Sequence, residues 1–304
     1  MATTFDRTKL DTGTLDIRPM TPAIGAEILG IDLGSTDIGD RIPQIRAALL
    51  KHGVIFFRDQ DLTTAQHIAF ARHFGKLEIH PATPKDQPDP EVLRIEHGPK
   101  SRGQENAWHS DVTWREEPSL GSILLAREVP ECGGDTLFAG MEAAYAALSP
   151  TMRAFLGTLT ARHASEHVYR GRYADRGVDD TDVSYPEAVH PLVRTHPDTG
   201  RRSIFVNPTF TVEICELEAG ESHGLLSWLH HHTTRPEFQI RHRWAENDIA
   251  LWDNRCVQHF AIWDHWPDER YGHRVTVKGE RPFFDPDGVD QPPSGLRLSP
   301  GRLT

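Results

Sequence analysis

His109 and Asp111 stand two apart in Ala107-Trp-His-Ser-Asp-Val-Thr-Trp114, and on an extended segment side chains at i and i+2 share a face, about 6 to 7 Å apart. An imidazole nitrogen and a carboxylate oxygen can then converge on one cation. A third ligand must come from far along the chain. The best candidate is His259, in Trp252-Asp-Asn-Arg-Cys-Val-Gln-His259, which follows the strand-like run Asp248-Ile-Ala-Leu-Trp252. Two imidazoles and one carboxylate grip one side of a metal and leave the other open, the donor set with which non-haem Fe(II) sites admit a bidentate cosubstrate and O2.

The His-x-Asp spacing alone carries little weight. It recurs at His196-Pro-Asp198, where Pro197, Asp198, Thr199 and Gly200 read as a tight turn between Leu192-Val-Arg-Thr195 and Ser203-Ile-Phe-Val206. By spacing, His109 and Asp111 fit a surface polar pair as well as a metal site. The basic residues beyond His259 shift the balance. Arg270 and Arg274 flank the strand-like Tyr271-Gly-His-Arg-Val-Thr-Val277; four residues apart on a strand they share a face, with Cα atoms about 13 Å apart. One guanidinium fork can take the distal carboxylate of a dicarboxylate and the other a second anion, with a hydroxyl such as Thr136 adding a further bond. Taken singly, either arginine reads equally well as a surface ion-pair partner.

From about Leu15 to Phe284 the chain resembles the taurine dioxygenase family, which includes the 2,4-dichlorophenoxyacetate and alkylsulfate dioxygenases. The resemblance rests on ordered blocks: Ile24-Gly-Ala-Glu-Ile-Leu-Gly-Ile-Asp-Leu33, Val54-Ile-Phe-Phe-Arg58, Trp108-His-Ser-Asp-Val-Thr113, Gly133-Gly-Asp-Thr136, His190-Pro-Leu-Val-Arg-Thr-His-Pro197, Trp252-Asp-Asn-Arg255 and Gly279-Glu-Arg-Pro-Phe283. It implies Fe(II), 2-oxoglutarate and O2, with oxidation of a C–H bond of a small-molecule substrate and release of succinate and CO2. It also implies a mainly β fold, a double-stranded β-helix (jelly roll, cupin-like) with helical insertions. By resemblance His109, Asp111 and His259 are the iron ligands, Thr136 and Arg270 hold 2-oxoglutarate, and Arg274 binds the substrate anion or approaches 2-oxoglutarate. Val112 and Phe210 match positions that line the substrate cavity, and both read equally as core residues.

Departures from the pattern bear on the substrate. Where the taurine pocket uses a His, a Tyr and an Asn, this chain has His80, Thr83 and Glu105. A carboxylate at Glu105 repels a nearby sulfonate. Taurine is therefore not the expected substrate; sulfonates, alkyl sulfates, aryloxyalkanoates and natural-product acids or lactones are the candidates. A zinc hydrolase or a non-catalytic cupin-like binding protein could use the same ligand trio, but neither requires the dicarboxylate anchor of Thr136, Arg270 and Arg274.

A length of 304 residues suits one jelly-roll domain over residues 1–284, and a net charge of −11 argues against a nucleic-acid partner. No apolar run is long enough to span a membrane, and the start lacks a signal-peptide core, so the chain reads as cytoplasmic. Its oligomeric state is left open, a homo-oligomer included. Cys132, Cys215 and Cys256 are odd in number and lack metal-type spacing, which predicts free thiols.

The elements that must position these residues follow from periodicity and caps. Strands are expected near 15–19, 54–58, 122–127 and 135–138, and helices over 41–52, 63–74, 141–148, 151–159 and 216–233, with Thr63 or Thr64 as a cap. Residues 130–134 read as a turn and 170–182 as a loop or lid. His230, His231 and His232 sweep around a helix end instead of converging, so they read as a solvated face favoured by the helix dipole. The Pro- and Gly-rich stretch 285–304 reads as a poorly ordered tail.

Overall fold

The computed structural model describes residues 15–79, 83, 87–99, 106–171 and 182–290. Before the first candidate ligand come β1 (Asp16–Pro19), β2 (Ala26–Leu29), α1 (Ile42–His52), β3 (Val54–Phe57), α2 (Thr64–Arg72) and β4 (Val92–His97). The middle holds β5 (Gly121–Glu128), β6 (Thr136–Gly140), α3 (Met141–Ala146), α4 (Pro150–Leu156), β7 (Thr160–Ala164), α5 (Glu166–Tyr169), β8 (Glu187–Pro191), β9 (Val193–Thr195), β10 (Arg202–Ile204) and β11 (Thr211–Ile214). Last come α6 (Ala219–Thr233), β12 (Gln239–His242), β13 (Ile249–Asp253), β14 (Val257–Ala261) and β15 (Arg270–Val277).

The architecture is mainly β with helical insertions. Seven strands form one sheet in the order β1-β2-β3-β13-β5-β15-β4, and a second sheet has the order β12-β6-β14. The strand period of two divides each central strand between two cores. Phe56, Leu124, Ala250 and Trp252 face inward onto Phe138, Ile240 and Val257 of the smaller sheet; Phe138 lies 5.6 Å from Phe56 and 5.8 Å from Trp252. Ile55, Phe57, Leu125 and Leu251 face outward onto Ile45 and Leu49 of α1 and Ile68 of α2. Both faces are covered, which is why Val54-Ile-Phe-Phe57 is apolar without alternation.

Local signals set the helix ends. Thr63 caps α2 through a reciprocal box, Gln66 N to Thr63 Oγ1 at 3.2 Å and Thr63 N to Gln66 Oε1 at 2.9 Å. The long helix begins three residues after Glu216, because Glu218 and Glu221 form its capping box. The Glu216 carboxylate instead accepts from the Thr160 N–H and hydroxyl at 2.8 and 2.7 Å.

Two expectations need correction. The histidines at the end of α6 are not a uniformly solvated face. His232 is buried, stacked on Trp228 at 5.2 Å and bonded to Ala144 O at 2.8 Å, and burial lowers His230 to a pKa of about 4; only His231 of the three is exposed. Residues 285–290, read as the start of a loose tail, are tied down. The Val289 N–H donates to Gly200 O at 2.7 Å, and Asp290 pairs with Arg153 at 3.0 Å and Arg202 at 3.2 Å. The order comes from contacts with the 196–202 turn, which composition does not encode. The lid reading falls largely on 172–181, outside the described residues. Cys132 and Cys215 are exposed and Cys256 is buried, all three as free thiols. Among the described residues no helix is long and apolar enough to cross a membrane.

His67, on α2, is fully buried, and burial with the facing His273 lowers its pKa from 6.5 to about 3. The unfolded chain then binds the extra proton between these values, so this group removes stability as pH falls below about 6.5. His67→Leu should flatten the loss between pH 7 and pH 5 by up to about 2 kcal/mol, read as the difference in urea-unfolding free energy at the two pH values. An unchanged slope would show that another group controls this range.

Candidate metal centre

The two imidazoles meet because their backbones pair. His259 lies on β14, and outside the named strands His109 forms an antiparallel bridge to it: His109 N donates to His259 O at 3.0 Å, and His259 N to His109 O at 2.8 Å. Residues directly opposite in such a pair project from the same face, with Cα atoms about 5.5 Å apart. The ring centroids lie 4.2 Å apart. The His259 ring is seated by Trp252 at 4.9 Å and Phe138 at 6.2 Å.

Asp111 arrives by a different route from the extended one that its spacing suggests. The chain leaves the bridge at Ser110 and turns, with Val112 at φ +49°, a conformation that costs a β-branched residue about 1–3 kcal/mol. Asn254 holds this turn. Its Oδ1 accepts from Asp111 N at 2.6 Å, and its Nδ2 donates to Asp111 O at 2.9 Å and to Ser119 O at 3.1 Å. Ser110 Oγ donates to Val257 O at 2.8 Å. The Asp111 carboxylate thereby lies 3.8 Å from His109 Nε2 and 4.0 Å from His259 Nε2 through Oδ1.

The donors are in the right protonation states for a dication. His109 Nδ1 lies 3.0 Å from Ala107 O; a carbonyl only accepts, so Nδ1 carries a hydrogen and Nε2 is the nitrogen turned toward a metal. Burial, with His109 alongside, lowers His259 to a pKa of about 3, leaving a neutral imidazole. Burial raises the pKa of Asp111, but the Arg274 guanidinium outweighs it and holds the carboxyl well below the usual range. The ligand atoms of the trio lie within 4.8 Å of one another. Two imidazole nitrogens and an ionised carboxylate oxygen, converging within the fold, fit Fe(II).

His196, Asp253 and Cys256 form a second close group, and its donors are already engaged. Arg255 binds both Asp253 oxygens at 2.8 and 2.7 Å, and His196 Nε2 adds a contact at 2.9 Å. Burial pushes the Cys256 thiol up, keeping it protonated. This cluster anchors the turn between β13 and β14 that carries Asn254. His196-Pro-Asp198 takes part as a turn, closed by Gly200 N to His196 O at 2.8 Å.

Arg270 and Arg274 share the inner face of β15. Arg274 lies opposite Leu124 and Gly272 opposite Ala126, both inward-facing, and Arg270 has the same parity. Arg274 Nη1 donates to Asp111 Oδ1 at 3.1 Å. Arg270 has no ion pair among the described residues and its buried Nε has no hydrogen-bond partner; burial lowers its pKa to about 10, so it stays a cation. Its guanidinium lies 5.7 Å from the Trp244 ring centroid, and Trp244 Nε1 donates to Thr136 Oγ1 at 3.0 Å. Gly134, at φ +70°, lets the chain pass beside it, since a Cβ there would sit 3.2 Å from Arg270 Cδ.

Val112, Trp114 and Phe210 form a small apolar cluster with Val168 and Tyr169, and Phe210 lies 6.3 Å edge-on from His109. Thr83 is buried, with no partner for its hydroxyl among the described residues. His80 and Glu105 lie outside the described residues. Sequence reasoning missed Asn254, Trp244 and Ser122, whose hydroxyl donates to Asp111 Oδ2 at 3.2 Å. A signal existed only for Asn254, inside the Trp252-Asp-Asn-Arg255 block.

Because Asn254 ties the Asp111 turn to the connection that leads into the His259 strand, Asn254→Ala should weaken Co(II) binding about 10- to 100-fold, measured by titrating the d–d absorption of the apoprotein. Wild-type affinity in the folded variant would rule out the clamp.

The chain is similar to known proteins over most of its length. The model of the family "Taurine catabolism dioxygenase TauD, TfdA family" matches residues 16–276. An alpha-ketoglutarate-dependent sulfate ester dioxygenase of Pseudomonas putida is 35% identical over 91% of this chain and 92% of its own length. A crystal structure of a taurine dioxygenase from Burkholderia xenovorans superposes with a TM-score of 0.79 at 36% identity, covering 91% of this chain and 93% of that one. A crystal structure of AAD-2 in complex with Mn(II) and N-oxalylglycine gives a TM-score of 0.79 at 29% identity, over 89% of this chain and 99% of the other. With a family match across residues 16–276 and relatives aligned over nearly their whole length, the chain belongs to the TauD/TfdA dioxygenase family.

Proposed function

We propose that the protein is an Fe(II)- and 2-oxoglutarate-dependent dioxygenase that oxidises an unactivated C–H bond of a small organic substrate carrying an anionic or carbonyl oxygen and a body bulkier and more apolar than taurine. One double-stranded β-helix, the jelly roll of the cupin type, with helical insertions up to residue 284, supports the site. One observation carries the reading: the His109, Asp111 and His259 cluster shares its interior with Arg270, a cation lacking an anionic partner among the described residues. A hydrolytic zinc site has no use for such a vacancy of charge, whereas a dicarboxylate cosubstrate fills it.

The oxidising power comes from Fe(II), 2-oxoglutarate and O2 when bound: the 2-oxo acid is decarboxylated to succinate and CO2 while a substrate C–H bond is oxidised. The chain's own part is binding, orientation and exclusion of water. His109 and His259 hold the metal through Nε2 and Asp111 through Oδ1. Arg270 and Thr136 take the distal carboxylate of 2-oxoglutarate. Arg274, bound to Asp111 by one nitrogen and with its Nε unpartnered, faces the substrate oxygen. Val112, Phe210 and Trp114 offer the apolar wall against which the substrate body packs.

That wall and the small Thr83 side chain favour sulfate esters, larger sulfonates, aryloxyalkanoates or terpenoid-type acids and lactones over taurine. By resemblance His80 and Glu105 are further substrate-side candidates, both outside the described residues. Coupled succinate release should be higher with a long-chain alkyl sulfate, an aryloxypropionate or a polycyclic terpenoid acid than with taurine. A highest kcat/KM for taurine would overturn this substrate class. For the reaction itself, anaerobic Fe(II) with 2-oxoglutarate should produce a weak visible charge-transfer band that His259→Ala abolishes; no band in the intact protein would defeat the oxygenase reading. Arg270→Ala should raise the KM for 2-oxoglutarate about 30-fold to several thousand-fold, while Arg274→Ala should mainly weaken the prime substrate. The reverse pattern would exchange the two roles.

A further inference from the structure

Thr136 and Arg270 sit on different strands, and one side chain touches both. Trp244 follows β12, is 7% exposed and is braced edge-on by His242 at 4.7 Å. Its Nε1–H donates to Thr136 Oγ1 at 3.0 Å, and its ring lies 5.7 Å below the Arg270 guanidinium. An indole N–H is a donor only, whereas a threonine hydroxyl has one hydrogen to give and two lone pairs to receive. Receiving the indole hydrogen uses a lone pair of Oγ1 and leaves the Thr136 hydrogen free to point elsewhere. Without Trp244 the hydroxyl is free to turn its lone pairs toward the anion site, the wrong polarity for a carboxylate. The same ring lies beside the Arg270 guanidinium, whose buried Nε has no hydrogen-bond partner among the described residues, and so limits the freedom of a fork that must meet two oxygens at once.

We infer that Trp244 is a positioning residue for the distal carboxylate of the 2-oxo acid: its N–H makes the Thr136 hydroxyl a donor, and its ring levels the Arg270 guanidinium. The inference rests on the proposed role of Arg270 and Thr136. It concerns only the carboxylate end of the cosubstrate and not the end beside the metal ligands. A 2-oxo acid without a distal carboxylate should therefore be indifferent to Trp244.

The test is isothermal titration of the Mn(II)-loaded protein with 2-oxoglutarate and, separately, with 2-oxobutyrate, which keeps the chelating end and lacks the distal carboxylate. Trp244→Phe should weaken 2-oxoglutarate about 3- to 30-fold and leave 2-oxobutyrate within about 2-fold. In a Thr136→Val background most of this loss should disappear, because the hydroxyl that Trp244 orients is gone. Should Trp244→Phe fail to fold, site-specific replacement of Trp244 by its benzothienyl isostere removes the N–H and keeps the bicyclic ring; the same selective loss is expected. Equal weakening of both ligands, or full additivity with Thr136→Val, would overturn the inference and make Trp244 a packing residue. If Arg270→Ala leaves 2-oxoglutarate binding intact, the anchor assignment itself fails, an outcome separate from failure at Trp244.

Discussion

The centre depends on a single backbone pairing, the His109–His259 bridge. Two hydrogen bonds, at 3.0 and 2.8 Å, oppose residues 150 positions apart and put both imidazoles on one face. Side chains alone could not do this reliably, because imidazoles on separate loops would lose much of their alignment to rotamer freedom. Here the register of β14 against β6, with His259 opposite Phe138, sets one ring, and the bridge copies that placement onto the other. A slip of one residue would turn His259 away from the interior.

Asp111 shows how the rest of the structure is recruited to this pairing. The turn that carries it is strained at Val112 and is held by hydrogen bonds of the Asn254 side-chain amide, which sits in the connection between β13 and the His259 strand. Beneath Asn254 lies the ion cluster of Asp253, Arg255 and His196, with every carboxylate oxygen bonded. A buried charge group of this kind is weak as a source of net stability. Its contribution is geometric, fixing the turn from which Asn254 reaches Asp111.

Charge is divided unevenly over the inner face of β15. Arg274 is ion-paired to Asp111, while Arg270, four residues away on the same face, has an aromatic ring beside it and no ion pair among the described residues. Desolvating a guanidinium without a counter-charge is costly, and the fold sustains it beside a tryptophan-bonded hydroxyl.

Much of this was legible in the amino-acid order. The common face of Arg270 and Arg274 and the cap of α2 follow from strand parity and local spacing, whereas the ligand trio was named by residue type and by resemblance, the extended geometry expected for Asp111 being replaced by a turn. Other features were not. The Asp111 turn, the Asn254 clamp and the contact of Trp244 with both Thr136 and Arg270 arise from segments over 100 residues apart, apart from Trp244 and Arg270. The solvated reading of His232 and the loose reading of 285–290 failed for the same reason, since each is ordered by a distant partner, Ala144 or the 196–202 turn. Local sequence determines which donors are present and which face they can share; only tertiary packing decides which of them are buried together, because burial and hydrogen bonding depend on neighbours that periodicity does not name.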